Sequence, residues 1–260
     1  GYGFTSNGRS SSFNPNIQNA PRRGRVRECY VARPGYYLCS VDYAAQELVT
    51  FAQAMRDLVG DGGPLMDAIN NDMDVHTLFA CEQLLKISYD EGLRLKKAGD
   101  EQFKTARQNS KQVNFGFPGG MGIKRFIEGQ RKEGFFFTEP EAIVLKKAWE
   151  AQWKPQRYFA YVNKIVEDYG WVKQLRSGRV RGEAGFTDTA NTFFSGLAAD
   201  MSKDALVRVT KECYCEPTSP LYGSRVVAFI HDEILAEVPI DRAHEAAMRI
   251  GELMVEAGRT

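Results

Sequence analysis

The sequence is short of cysteine, of net charge and of long apolar runs, and each shortage excludes a class of protein. Its five cysteines are odd in number and scattered, and Cys213 and Cys215 have no second Cys or His pair at zinc spacing, which argues against a disulfide framework or zinc site. Lysine plus arginine (34) nearly balances aspartate plus glutamate (33), so any nucleic-acid surface must be local. No apolar run approaches the length of a membrane-spanning helix, and the Gly/Ser/Asn-rich start is unlike a signal peptide, which predicts a soluble protein.

The length and composition are those of an ordinary globular protein. With 43% hydrophobic and 26% charged residues, the 260-residue chain can bury a sizeable core in one or two domains. It begins with GYGFTSNG, has no starting methionine and ends with EAGRT, from which we expect a segment of a longer polypeptide. The cysteines are expected to be reduced thiols in a cytosol-like compartment.

Residues 104–122 place two cations and an aromatic ring at intervals of four. Arg107, Lys111 and Phe115 share one face if this stretch is helical, and the Pro-Gly-Gly run at 118–120 is expected to end or kink the helix. A guanidinium, an ammonium and a ring in a row fit a nucleotide, which is phosphorylated at one end and flat at the other. The alternative is an amphipathic surface helix whose Phe115 packs in the core and whose cations are solvated.

Two other stretches predict strands that meet carboxylates at their ends. YYLCSVD (residues 36–42) predicts a strand that leads into a helix from Gln46, with Asp42 at the junction. RVVAFI and ILAEVP predict a second pair of strands, joined at His231, Asp232 and Glu233. Adjacent carboxylates at a tight turn repel one another, and a divalent cation is the natural compensation.

These carboxylates suggest a chemistry if they meet at one cleft. Asp42 and Asp232 could then bridge two hard cations about 3.5–4 Å apart, one lowering the pKa of an attacking hydroxyl and the other neutralising a leaving pyrophosphate. Arg107 and Lys111 would hold a triphosphate, with Phe115 near the sugar and base. The pattern predicts nucleotidyl transfer.

The remaining segments leave structural and functional interpretations open. Residues 1–25 predict a loop, which is either a flexible terminus or, through its amides and arginines, a contact for phosphates and groove edges. Asp74 is expected to cap a helix with His76 in its first turn, where a lone histidine is structural or functional. Also predicted are a helical stretch over 139–169 interrupted at Pro155, a hairpin around Ser177 and Gly178, a long helix from Asp188 and a final helix over 241–256.

Taken together, these stretches resemble the palm and fingers of a family A DNA polymerase of the bacterial DNA polymerase I type, over nearly the whole chain. VDYAAQEL (residues 41–48) is similar to the family's first catalytic motif, RQNSKQVNFG (107–116) to its nucleotide-binding fingers helix and FIHDE (229–233) to its third motif. The resemblance implies that Asp42, Asp232 and Tyr43 are metal ligands and that Glu233 supports them as a catalytic carboxylate. It also implies that Glu47 closes off the sugar 2′ position, beside the phosphate and sugar roles of Arg107, Lys111 and Phe115.

Three further motifs extend the resemblance. GRSSSFNPNIQNAP (residues 8–21) resembles the family's primer and template segment, DVHTLFA (74–80) the helix whose histidine reaches the triphosphate, and NTFFSGLAAD (191–200) the template-side helix. His76 is therefore implied as a nucleotide-binding residue. DNA contacts are implied for Arg9, Asn16, Gln18, Arg23, Asn191 and His231.

The resemblance implies an α+β fold, with a right-hand palm formed by an antiparallel sheet backed by helices and a mostly helical fingers subdomain. Residues 1–50 and 186–260 would form the palm and residues 51–185 the fingers, with no thumb or exonuclease in this chain. The implied cofactor is Mg²⁺ (two ions), and the implied partners are primer-template DNA and deoxynucleoside triphosphates. The expected protein is a monomer without membrane association, normally part of a longer chain, in the cytoplasm of a bacterial cell or phage-infected host.

The chain departs from the family's pattern in three places. Ala44 and Ala45 stand where Ser and Gln are usual, Ser195 stands where many members have Gln, and Gly119, after Pro118, replaces a Tyr. We expect the fingers helix to be shorter or bent after Phe115, with Phe117 the nearest candidate to fill the place of the missing ring.

Two rival functions share these motifs. A single-subunit RNA polymerase has the two aspartates and the fingers helix but no bulky acid at the sugar gate, so Glu47 favours deoxynucleotides. A catalytically inactive DNA-binding scaffold would use the same groove, and the retention of both Asp42 and Asp232 argues against it.

Overall fold

The computed structural model describes residues 1–20, 24–132 and 134–259, and the chain divides into two compact units. One unit comprises Gly1–Gln46 with Ser195–Thr260, and the other comprises Glu47–Phe194. The strands are β1 Tyr2–Phe4, β2 Ser10–Ser12, β3 Tyr36–Asp42, β4 Val172–Lys173, β5 Val180–Arg181, β6 Arg225–Ile230 and β7 Glu233–Pro239. The α-helices are α1 Gln46–Val59, α2 Gly63–Asn70, α3 Val75–Phe79, α4 Tyr89–Ala98, α5 Glu101–Gly116, α6 Ile123–Lys132, α7 Glu139–Trp153, α8 Gln156–Tyr169, α9 Phe186–Cys215 and α10 Ala243–Arg259.

A three-stranded antiparallel sheet organises the first unit. Its strand order is β3-β7-β6, so that β7 lies between the two strands whose ends carry the candidate carboxylates. In the register of β3 with β7, Asp42 is opposite Glu233. The strand predicted to end at Asp42 and the two strands predicted to flank an acidic turn are therefore confirmed.

One face of this sheet is buried under helices. Ile234, Ala236 and Val238 alternate along β7 and are fully buried, as the period of two in a strand requires. They share a hydrophobic cluster with Ile250 and Met254 of α10, which recur at helical spacing. Since each fully buried aliphatic side chain contributes roughly 1.5–3 kcal/mol, this packing fixes the position of the strand ends.

The first twelve residues contain short strands that the sequence did not predict. β1 pairs antiparallel with β2, with Tyr2 opposite Ser12, in place of an irregular loop. Three-residue strands are too short to show a hydrophobic alternation, so their pattern is invisible in sequence. The segment is tied to β6 by Gln18, whose Nε2 donates to the carbonyl oxygen of Phe229 at 3.0 Å.

The second unit is mostly helical around an aromatic core. The ring of Phe51 lies 6.1 Å from that of Trp149, 5.2 Å from that of Tyr158 and 5.4 Å from that of Phe194. The predicted interruption at Pro155 is confirmed, because α7 ends before it and α8 begins after it. The predicted hairpin is also present, as the paired strands β4 and β5.

The helix that carries Arg107, Lys111 and Phe115 is α5, and it ends where the sequence predicted. Its last residue is Gly116, and the chain turns through residues 117–120, where Gly120 has a φ of 71°. The prediction that Phe117 fills the place of the missing ring is wrong. Phe117 is fully buried and stacks on Phe126 with ring centroids 4.6 Å apart, because it still has helical dihedrals and lies one turn after the buried Val113, on the same face.

The longest helix, α9, runs for 30 residues, and its predicted position from Asp188 is confirmed. In the described part of the chain, none of the helices combines the length and apolar composition needed to cross a membrane. All five cysteines are free thiols.

Candidate active site

Three carboxylates lie at one end of the sheet in the first unit. Asp42 closes β3 and is paired with Glu233, the first residue of β7, while Asp232 precedes it in the turn. Ser40 Oγ donates to Glu233 Oε1 at 2.5 Å, which orients that carboxylate. His231 has a φ of 61°, an uncommon conformation outside glycine, so the turn is held in a specific shape.

The electrostatics at this end of the sheet favour an added positive charge. Desolvation and the neighbouring Glu233 carboxylate raise the pKa of Asp42, while the backbone N–H of Tyr43 and the nearby His231 act in the opposite direction. A carboxylate whose charged form is disfavoured by another carboxylate gains stability when a cation binds both.

The phenol of Tyr43 is directed away from a role as a metal ligand. The phenol hydroxyl donates to the carbonyl oxygen of Met254 at 2.6 Å. Burial, together with the carboxylates of Asp204 and Asp232, raises the pKa of Tyr43, so the phenol stays protonated. Any metal contact from Tyr43 must therefore come from its main-chain carbonyl.

The carboxylates alone do not form a complete metal cage. Within residues 1–20, 24–132 and 134–259, no three His, Cys, Asp or Glu side chains come together as a ready-made metal site. A site with one or two carboxylates fits Mg²⁺, which commonly completes its octahedral shell with waters and substrate phosphates. The donor set of Asp42 and Asp232 is chemically suited to that ion and unsuited to a structural zinc site.

The predicted DNA-binding residues of the amino-terminal segment differ in availability. Arg9 is partly exposed at the end of the loop between β1 and β2. Asn16 is exposed, and its Oδ1 accepts from Ser12 Oγ at 2.9 Å and from the backbone N–H of Gln18. Gln18 is buried, and its Nε2 donates to Ser10 Oγ and Phe229 O, which leaves only its Oε1 for another partner. Arg23 lies outside the described residues.

Glu47 and the residues before it form the junction between β3 and α1. Glu47 occupies the first turn of α1 and is partly buried. Ala45, which replaces a Gln of the family, has a φ of 52°. The junction thus holds a non-glycine residue in the left-handed region directly beside the candidate sugar gate.

In the second unit, α5 carries the predicted row of cations and aromatic ring. Phe115 is 50% exposed, which contradicts the alternative that it packs in the core. Arg107 Nη2 donates to Asp74 Oδ2 at 2.7 Å, and its Nε donates to Asp74 and to Thr77 Oγ1. The guanidinium is therefore held in place while its Nη1 makes no hydrogen bond to a described residue. Lys111 follows one turn later on the same helix.

Asp74 organises this part of the unit as a helix cap. Its Oδ1 accepts from the backbone N–H groups of His76 and Thr77 at the start of α3, and Lys96 Nζ lies 2.7 Å from its Oδ2. Burial works against its ionisation, but the hydrogen bonds from Lys96 and Arg107 hold the pKa of Asp74 well below its usual range. It remains a carboxylate at any pH near neutrality.

His76 is buried beside the exposed ring. The residue is 6% exposed, and its ring centroid lies 5.3 Å from that of Phe115. Burial is the largest influence on its pKa, which is lowered to about 4. Asp74 opposes this shift, whereas Arg107, Lys111 and Lys96 reinforce it. His76 is neutral near pH 7 and can act only as a hydrogen-bonding group there.

The position of the family's missing ring, Gly119, faces Asn191 near the start of α9. A Cβ at position 119 would lie 2.7 Å from Asn191 Oδ1, so the amide of Asn191 occupies the space beside the turn. Asn191 is partly exposed and is the predicted template contact of this helix.

Sequence reasoning missed the partners of two residues of α5. Arg107 is bound by Asp74, and Asn114 is bound by Trp153. Asp74 was predicted only as a cap. Trp153 Nε1 donates to Asn114 Oδ1 at 3.0 Å, and Asn114 Nδ2 lies 3.1 Å from His76 Nδ1. A buried amide near the end of an amphipathic helix is the one signal that could have indicated such a network.

Comparisons with known proteins agree on one family. The sequence model described as DNA polymerase family A matches residues 3–260. The chain is 31% identical to the thermostable DNA polymerase I of Thermus filiformis, over 97% of this chain and 29% of that protein. It is 30% identical to DNA polymerase I of Pseudomonas aeruginosa, over 95% of this chain and 26% of that protein. The chain thus spans little more than a quarter of the length of these relatives.

A solved structure shows the same fold. The POL domain of Pol1 from M. smegmatis, in complex with DNA primer-template and dNTP, matches with a TM-score of 0.76 over 97% of this chain and 43% of that one, at 24% identity. A mixed fold of helices with antiparallel sheets is common to both. With the family match over nearly its whole length, the chain belongs to DNA polymerase family A.

Proposed function

We propose that this chain is the palm and fingers of a template-directed DNA polymerase, which adds deoxynucleotides to a primer 3′ end by two-metal-ion nucleotidyl transfer. The observation that carries the proposal is the register that sets Asp42 opposite Glu233, directly beside the turn that holds Asp232. Membership of family A and the names of the bacterial relatives support it. The unit with the sheet corresponds to the palm in this proposal, and the helical unit to the fingers.

Asp42, Asp232 and the main-chain carbonyl of Tyr43 would hold two Mg²⁺ ions, with Glu233 as a supporting carboxylate. Bound there, magnesium supplies Lewis-acid activation of the primer hydroxyl and neutralisation of the leaving pyrophosphate. The protein's part is to fix the carboxylates on a rigid sheet end, with Ser40 orienting Glu233.

The face of α5 would receive the triphosphate and the sugar. Asp74 uses two of the three nitrogens of Arg107, so the planar guanidinium is pre-oriented and can offer Nη1 to phosphate oxygens. Lys111 adds a second positive charge one turn along, and the exposed ring of Phe115 packs near the sugar and base. Holding charges and ring before substrate arrives lowers the entropic cost of binding.

The proposed partners are primer-template DNA and deoxynucleoside triphosphates. Arg9, Asn16, Asn191 and His231 are the described residues that we propose as DNA contacts, and Gln18 can join them only through Oε1. Their role would be to position the duplex through phosphate and minor-groove contacts rather than to read sequence.

The test is Mg²⁺-dependent extension of a labelled primer on a template by the full-length protein, with Asp232→Asn as the decisive variant. The substitution keeps the size of the side chain but removes a negative charge, so extension should fall by at least about a hundredfold. Asp241→Asn, in the exposed turn before α10, is the matched control and should extend normally.

Primer-template affinity is measured in parallel by fluorescence anisotropy. The proposal expects Asp232→Asn to bind DNA like the unmutated protein. Loss of binding together with extension would make Asp232 a structural residue, and DNA binding without extension by the unmutated protein would make the chain an inactive scaffold.

A further inference from the structure

The two tryptophans of α7, Trp149 and Trp153, are equally buried but differ in what their indole nitrogens contact. Both side chains are fully buried. Trp153 Nε1 donates to Asn114 Oδ1 at 3.0 Å, whereas Trp149 Nε1 has no hydrogen-bond partner among the described residues. An indole N–H can only donate, so the group of Asn114 that faces Trp153 must be its oxygen. The orientation of the Asn114 amide is therefore fixed by chemistry.

The fixed amide determines which nitrogen of His76 carries the proton. Asn114 Nδ2 points to the opposite side, 3.1 Å from His76 Nδ1 and 3.4 Å from Ser110 Oγ. An amide NH₂ group has no lone pair to offer, so His76 Nδ1 must accept. Because the imidazole is neutral, its one proton is then on Nε2. This Nε2 makes no hydrogen bond to a described residue.

We propose that Trp153 and Asn114 set His76 as the Nε2–H tautomer, so that His76 presents a donor to a phosphate oxygen of the bound nucleotide. The inference deepens the proposed function and rests on it for the identity of the ligand. The imidazole lies against Phe115 and close to Arg107 and Lys111, which belong to the same proposed nucleotide face. Asn114 and Trp153 act through His76 and are positioning residues.

The tautomer of His76 decides whether its Nε2 attracts or repels a phosphate oxygen. We call the chain of hydrogen bonds from Trp153 through Asn114 to His76 the relay. Phosphate oxygens of a nucleotide are acceptors, so a donating Nε2–H attracts them. The other tautomer would direct a lone pair at the same oxygens and repel them. An unsupported neutral imidazole can adopt either form, whereas the amide held by Trp153 permits only the useful one.

A purely structural role is the alternative interpretation of the network. Asn114 and His76 are both buried, and their hydrogen bonds would be needed to satisfy them even if no ligand bound. That role predicts a stability loss on mutation of Trp153, and is compatible with a change of the His76 tautomer, but it predicts no specific change in nucleotide affinity.

The first measurement is the tautomer itself, by ¹⁵N NMR of histidine-labelled protein at pH 7. The chain has only three histidines, and His76→Gln assigns the signals by difference. The unmutated protein should show a protonated, pyrrole-type Nε2 and an unprotonated, pyridine-type Nδ1 for His76. A protonated Nδ1 would overturn the proposal without any variant.

Trp153→Phe and Trp149→Phe form a matched pair, because each removes one indole N–H from a fully buried side chain of the same helix. Trp149→Phe should leave the His76 signals unchanged, since its N–H has no partner. Trp153→Phe should release the amide and produce a mixture of tautomers. Asn114→Asp is the second route, because a carboxylate beside Nδ1 accepts a proton there and should convert His76 to the Nδ1–H form. Unchanged Nε2–H signals in both Trp153→Phe and Asn114→Asp would refute the relay.

The second measurement is the affinity for a deoxynucleoside triphosphate, with kcat and KM separated. Trp153→Phe and Asn114→Asp should raise KM by roughly tenfold with a smaller change in kcat, because a hydrogen bond to a charged group is lost. Trp149→Phe should not. A tautomer change without a change in affinity would overturn the role in recognition. If the unmutated protein binds no nucleotide while the tautomer follows the prediction, the proposed function fails and the relay survives as a structural device.

Discussion

At the scale of single residues, Glu47 is the side chain expected to choose between sugars. It lies in the first turn of α1, five residues along the chain from Asp42, the last residue of β3. Glu47→Ala should raise the use of ribonucleotides relative to deoxynucleotides by roughly 10–100-fold, because the bulk that excludes a 2′-hydroxyl is gone. The measurement is the ratio of kcat/KM for the two nucleotides in primer extension. Glu47→Gln keeps the bulk and should keep the discrimination, and an unchanged ratio in Glu47→Ala would show that another residue forms the gate.

A second prediction concerns Phe115 and the 3′-hydroxyl of the incoming sugar. Its exposed ring has no hydroxyl, so it cannot replace an interaction made by a sugar 3′-OH. Dideoxynucleotides should therefore be poor substrates, and Phe115→Tyr should improve their use by about tenfold, the value of one hydrogen bond to a charged or polar partner. Competition between the two nucleotides in primer extension measures this. Equal use of both by the unmutated enzyme would contradict the idea.

Residue spacing predicted the row of Arg107, Lys111 and Phe115, because all three stand on one helix. It could not predict the partner of Arg107, since Asp74 is 33 residues away in sequence and meets it only through packing of α3 on α5. Trp153 and Asn114 are 39 residues apart for the same reason. Residue spacing predicts which side chains share a face of one helix or strand, whereas contacts between elements depend on tertiary packing.

At the scale of elements, the end of α5 depends on a glycine. Gly120 has a φ of 71°, and a Cβ there would overlap the ring of Phe186. Gly120→Ala should lower the free energy of unfolding by at least about 2 kcal/mol, from the left-handed conformation and the overlap together. Chemical denaturation followed by circular dichroism measures the change.

The control for this substitution is Gly129→Ala in the neighbouring helix α6. Its added Cβ would meet nothing within 4 Å, and its φ is ordinary for a helix. Replacing a helical glycine should stabilise the protein by roughly 0.5–1 kcal/mol. An equal effect of the two substitutions would mean that the turn at 117–120 is free to rearrange.

The elements with strong patterns were predictable, and the weak ones were not. β3 and the β6–β7 pair show runs of β-branched and apolar residues, and the structure has them where the sequence places them. β1 and β2 are held by backbone pairing and by the hydrogen bonds of Ser10 and Ser12, which leave no periodic trace. The Phe117 ring was mispredicted because the helix was expected to end or bend after Phe115, whereas Phe117 keeps helical dihedrals and lies one turn after the fully buried Val113.

At the scale of the whole molecule, the near-zero net charge conceals two oppositely charged sites. The carboxylates of the proposed metal site belong to the unit with the sheet, and Arg107 and Lys111 belong to the helical unit. Bulk charge therefore gave no sign of a polyanionic substrate. The order of the motifs along the chain indicated family A instead, and the family match confirmed that assignment.

The stability of the molecule should depend on pH through His76. Burial lowers its pKa in the folded state to about 4, against an ordinary value of 6.5. As pH falls below about 6.5, the unfolded chain binds a proton that the folded chain refuses, so the free energy of unfolding decreases until about pH 4. The slope contributed by this group approaches about 1.4 kcal/mol per pH unit within that window. Asp74, whose pKa is held below its usual range, contributes in the same direction only at pH values below about 4.

His76→Gln separates this effect from that of other groups, because it removes the titrating ring and retains a hydrogen-bonding amide. The variant should be less stable at pH 7, where the neutral imidazole packs well, but its free energy of unfolding should fall less steeply between pH 6.5 and 4. Urea denaturation of both proteins at half-unit steps of pH measures the two slopes. Parallel curves through that window would mean that His76 accepts its proton without unfolding. Its burial would then be too weak to keep the imidazole neutral, which the proposed donation to a phosphate oxygen requires.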